Sequence, residues 1–268
     1  RVLAVTEPTL RQPTNPGDTV DKWKSAMCDL LRMQFHEDMR IHDFMLLPNA
    51  PAAEPEYMDK YKLGYIEKFY NESTHNRTFY KTKFLCESFS YTRQDYAEMQ
   101  LYSVFLQACH IFSVFKFISI LAHYTIDISY EDFYDYVMNL NSVQKILEPV
   151  RKKLNSFVHS EEQNKFMQYN GKLMNAENYI FIQMIDNLDE IFEEFNLDLG
   201  IYTEDILKFQ KFILLTYDNK KTELTLNFDF KKYFLDIFDL PPNTKIKILP
   251  QQITTKYHVD NKVGLYRD

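Results

Sequence analysis

The sequence LYSVFLQACHIFSVFKFISILAHY, residues Leu101 to Tyr124, decides which class of fold this chain adopts. Its 24 residues include one formal charge, Lys116, and no Gly or Pro. A bilayer core asks for about 20 mostly apolar residues in a helix, so the length suffices for a membrane span. Over a window of about 20 residues the mean hydropathy is roughly 1.5, just short of spanning helices, and Gln107, His110 and Lys116 lower it.

The polar residues of the stretch are ordered. Ser103, Gln107, His110, Ser113, Lys116, Ser119 and His123 recur every three or four positions, a line that winds around a helix. His110, Lys116 and His123 are therefore expected as core or intramembrane polar groups with partners on neighbouring helices. Arg77, Lys81, Lys83 and Arg93 precede the stretch, and Asp127, Glu131, Asp132 and Asp135 follow it. That asymmetry fits a positive-inside orientation and ordinary surface charge equally well. A helix buried on all sides in an α-helical domain is the favoured reading, because a charge near mid-span is costly; a membrane span through 101–124 is the alternative.

Outward from this stretch the pattern is helical. Asp18 or Thr19 caps a predicted helix to about Leu47, with Val20, Trp23, Met27, Leu30 and Leu31 on one face. A second helix is predicted over Glu56 to Tyr70. Thr92 with Asp95 spells a capping box at the start of the apolar helix, and Ser129 with Asp132 and Ser160 with Gln163 spell two more. Pro149 is expected to kink or divide the segment Phe133 to Phe157. Asn170-Gly171 is read as a helix end, Asn175 as the start of a helix through Phe195, and Thr203 as the start of one to about Tyr217. The predicted fold is mostly α: a multi-helix bundle around a central apolar helix at about 101–124. Residues 1–17, with Pro8, Pro13 and Pro16, form an extended Pro-rich arm, 18–218 the helical domain, and 219–268 a small mixed α/β C-terminal section. In that section ELTLNF (223–228) and KIKIL (245–249) alternate like strands around a short helix, DFKKYFLDIF.

Composition bounds the function. Charged residues at 26% and hydrophobic residues at 45% are globular values. The net charge is −7 and no basic cluster stands out, which excludes nucleic acid as the main partner, because phosphate binding needs clustered Lys and Arg. The five glycines, at 17, 64, 171, 200 and 264, are never close neighbours. Phosphate loops, dinucleotide fingerprints and nucleophile elbows need glycines within a few residues of each other, so none of these can be written. Cys28, Cys86 and Cys109 stand far apart with no zinc spacing, and are read as buried thiols rather than as a disulfide pair.

Four sets of residues remain as candidates. Within FHEDMRIHD, His36 and His42 are six apart and leave a helix on different faces, whereas Asp38 and His42 share a face and are the metal candidates. A solvated charged face is the plainer account of that segment. Asn71-Glu72-Ser73 and Asn76-Arg77-Thr78 are glycosylation sequons at Asn71 and Asn76. The acidic aromatic runs SYEDFYDY (129–136) and EIFEEF (190–195) are read as docking surfaces or as helices packing their apolar sides inward. His110 and His123 complete the set, as proton-path or haem-binding residues in a membrane bundle or as hydrogen-bonded core residues.

No catalytic residue and no cofactor is nominated. The functional expectation is a non-catalytic structural or accessory subunit of a larger assembly, partnered by other protein subunits in a mitochondrial inner-membrane complex. A secreted or luminal glycoprotein that binds a protein or an apolar ligand is one alternative. An enzyme whose site is assembled from residues distant in sequence is the other.

Overall fold

The computed structural model describes residues 9–11, 17–33, 36, 40–70, 80–159, 164–200, 203–217, 257–260 and 264–267. Helices dominate, so the mostly α class holds. The chain divides into two compact units, Arg1–Gln107 with Leu147–Met167 and Ala108–Ile146 with Gln168–Asp268.

In the first unit, β1 (Thr9–Arg11) pairs in parallel with β2 (Arg40–His42), so this piece of the N-terminal arm joins the unit's own backbone. Between them lies α1 (Val20–Arg32), whose Thr19 side chain caps it by accepting from the Lys22 amide. Its apolar stripe, Trp23, Met27, Cys28 and Leu31, is buried as the spacing predicts. The helix does not reach Leu47. It ends at Arg32, and β3 (Met45–Leu46) pairs with β5 (Tyr80–Glu87) instead, where the Leu85 amide bonds the Phe44 carbonyl at 3.0 Å.

The predicted helix over 56–70 is likewise cut short. α2 (Pro55–Tyr61) closes with Lys62 in the left-handed region (φ 49°), and the Leu63 amide bonds the Met58 carbonyl at 2.9 Å. The chain then turns into β4 (Gly64–Tyr70), antiparallel to β5 (Tyr80–Glu87), in a sheet ordered β3-β5-β4. The alternation in β4, with Ile66 and Lys68 buried and Glu67 exposed, has the strand period of two. α3 (Arg93–Leu106) follows, and its capping box is complete: Thr92 Oγ1 accepts from the Asp95 amide and Asp95 Oδ2 accepts from the Thr92 amide.

Residues 101–124 are not one helix. A π-turn at Gln107–Ile111 widens the spiral, Ser113 takes a left-handed conformation (φ 68°), and the path bends by 87° before α4 (Lys116–Ile126). Among the described residues no single helix is long and apolar enough to cross a membrane. The bent pair Arg93–Ile111 and Lys116–Ile126 meets that test only by adding its two parts. The expected central helix is thus replaced by a corner.

In the second unit α5 (Tyr130–Met138) is capped by Ser129 as predicted, with the Asp132 amide 3.0 Å from Ser129 Oγ. The chain divides at Asn139-Leu140, not at Pro149, and α6 (Asn141–Val158), which belongs to the first unit from Leu147 on, runs through that proline. Asn170-Gly171 does not end a helix. Both residues have positive φ (48° and 76°) and form the two-residue turn between β6 (Met167–Tyr169) and β7 (Lys172–Met174), the geometry that hairpins demand of Asn-Gly. The helix expected from Asn175 to Phe195 is split at Asn187 into α7 (Ala176–Asp186) and α8 (Leu188–Glu194), and α9 (Thr203–Tyr217) matches its prediction. β8 (Tyr257–Asp260) and β9 (Gly264–Arg267) form an antiparallel pair. The core of this unit is aromatic: Phe115 meets Phe133, Phe192 and Phe195 at ring centroid distances of 6.3, 5.8 and 5.8 Å. The strands expected at 223–228 and 245–249, the short helix between them and the cap at Ser160 lie outside the described residues.

Candidate functional site

Three constellations gather the polar and aromatic groups that could carry a function, two in the first unit and one in the second. In the first unit Asp43, Tyr96, Gln100 and Lys165 converge on one carboxylate. Lys165 Nζ lies 2.5 Å from Asp43 Oδ2 and 2.8 Å from Gln100 Oε1, the Gln100 amide donates to Asp43 Oδ1, and Tyr96 Oη donates to the same oxygen at 3.2 Å. Burial by itself would raise the Asp43 carboxyl, but the Lys165 ammonium and the three donors outweigh it and hold the group below its ordinary value. Tyr96 moves the other way, kept protonated by burial and by the Asp43 charge. Lys68, on β4, and Lys165 both approach the Phe157 ring, at 4.9 and 5.5 Å from its centroid. The group is a closed ion pair: Asp43 and Lys165 side chains are 18% and 29% exposed, and each charged atom already has its opposite.

The second unit holds a buried relay at the corner. His110 Nδ1 lies 2.5 Å from Tyr134 Oη, Tyr134 donates to Ser119 Oγ at 3.0 Å, and Ser119 donates to the Lys116 carbonyl at 2.8 Å. His110, Tyr134 and Ser119 are all fully buried. Gln210 of α9 completes the corner, donating to the Ser113 carbonyl at 2.5 Å and accepting from the Phe117 amide at 3.2 Å. Both are backbone groups that the break leaves without helical partners. This constellation does structural work: His110, Tyr134 and Ser119 bond one another, and Gln210 satisfies the two backbone groups at the break.

The third constellation lies at the surface, with Tyr57 and Tyr61 half-buried and Phe89 exposed. Tyr57 and Tyr61, one helical turn apart on α2, have ring centroids 4.5 Å apart, and Phe89 continues the row 6.4 Å from Tyr61. Phe89 is 55% exposed, and its amide bonds the Tyr61 carbonyl at 3.0 Å, which fixes the turn that presents it. The N-terminal arm joins the domain beside this row, because the Gly17 amide donates to Ser90 Oγ at 3.0 Å and the Gly17 backbone faces Phe89. A contiguous aromatic row at the surface is of the composition that protein interfaces favour.

The residues nominated from sequence distribute as follows. Asp38 lies outside the described residues, and of His42 the structure describes only the backbone, in β2. Among the described residues no group of three or more His, Cys, Asp or Glu could hold a metal ion. Asn71 and Asn76 also lie outside the described residues, in the connection between β4 and β5. His110 and Lys116 are buried, and His123 Nδ1 bonds the Ile128 carbonyl at 2.9 Å while its ring packs on Tyr130 at 4.7 Å. Cys28, Cys86 and Cys109 are buried and in no disulfide, and burial pushes the Cys86 thiol up to about 11 and the Cys109 thiol upward as well, away from the reactive thiolate.

The two acidic aromatic runs turn their rings inward: Tyr130, Phe133, Tyr134 and Phe195 are buried. Tyr57, Tyr61 and Phe89 were the surface that sequence reading passed over. The Tyr pair at i and i+4 inside the charged segment PEYMDKY was the available signal; Phe89 had none. No protein-family model matches the chain, and no curated protein matches it.

Proposed function

We propose that this chain is a non-catalytic structural or accessory subunit of a larger protein assembly, held to other protein subunits, with a mitochondrial membrane complex as the first place to look for it. The observation that carries this reading is the exposed Phe89 at the end of the half-buried Tyr57–Tyr61 row, beside Ser90, to which Gly17 bonds. A few residues carry most of the binding energy at protein interfaces, and Tyr and Trp are enriched among them. The internal chemistry supports the same reading. The Asp43 carboxylate and the Lys165 ammonium are paired, His110, Tyr134 and Ser119 bond one another, and the three thiols are buried.

The test is size in the native setting. A tagged wild-type chain expressed in its source and extracted with mild detergent is expected to migrate far above its own mass. Phe89→Asp is expected to shift it to the monomer position with an unchanged melting temperature, since the side chain lies half in water. A wild-type chain that runs as a monomer sinks the proposal, as does a Phe89→Asp chain that stays in the large species. Fractionation of the wild-type complex with or without the inner mitochondrial membrane decides the location.

A further inference from the structure

We draw no further inference here: the strongest candidate, the pair Lys68 and Lys165 at the Phe157 ring in the first unit, belongs to the ion-paired site already described, because the Lys165 ammonium is neutralised by Asp43.

Discussion

Gln210 and Ser113 stand 97 positions apart, yet the Gln210 side-chain amide donates to the Ser113 carbonyl at 2.5 Å and its oxygen accepts from the Phe117 amide. One side chain thereby satisfies both sides of the break that divides the apolar stretch. A helix broken in an apolar interior exposes backbone groups that have lost water and gained nothing, so the corner depends on this outside partner.

Replacing Gln210 by Leu removes both bonds at nearly constant volume and strands a carbonyl and an amide in the core. The expected loss is about 3 kcal/mol, from about 1–3 kcal/mol for each unsatisfied group. Urea unfolding measures it. A change below about 0.5 kcal/mol would mean that water or another side chain satisfies the corner.

Ile118 is fully buried on α4. Ile118→Asp places a carboxylate there with no cation prepared for it, at a cost of several kcal/mol, comparable to the stability of a marginal domain. Aggregated or rapidly degraded protein is expected on expression; a folded variant with a near-native melting temperature would contradict the packing of α4.

Glu194 lies at the end of α8 and accepts from the backbone amides of Asn141 and Ser142, at 2.6 and 2.8 Å, as well as from both side chains. It caps α6 from a distance, and the backbone and side-chain donors of Ser142 and Asn141 lower its carboxyl from 4.5 to about 2. The folded pKa is depressed, so the stabilisation is fully present above about 4.5 and is lost as pH falls through about 2. Glu194→Gln should therefore lower the urea midpoint at pH 7, and the gap to wild type should close as the pH approaches the lower value. A gap that stays constant across this range would show that charge plays no part in the cap.

Gly171 has φ 76° in the hairpin turn, and no described atom lies within 4 Å of where a Cβ would sit. Gly171→Ala meets backbone strain alone, and about 1 kcal/mol of destabilisation is expected. Chemical denaturation reads this directly, and an unchanged midpoint would mean that the turn relaxes to another form.

Local grammar made much of the fold legible. The helix starts at Thr19, Thr92, Ser129 and Thr203 follow from side chains that reach a backbone amide within the same turn or open a periodic run, and such contacts need no other part of the chain. The stripe Trp23, Met27 and Leu31 was readable for the same reason. Asn170-Gly171 carries a hairpin signal that in sequence reads equally as a helix end, since the three-residue strands on either side are too short to show their period.

The sequence by itself determined the mostly α class, the main caps and the absence of glycine-rich ligand motifs, because these depend on neighbours within a few positions. Tertiary structure alone decided that 101–124 is a corner and that α1 gives way to strands before Leu47. It also brought Gln100 and Lys165 to the Asp43 carboxylate and left Phe89 exposed beside the half-buried Tyr61. The physical reason is common to all four. Whether a helix continues or breaks, and whether an aromatic ring is covered, depends on which distant group arrives to satisfy the backbone or bury the ring. A sequence pattern read in windows of a turn or two does not contain that group.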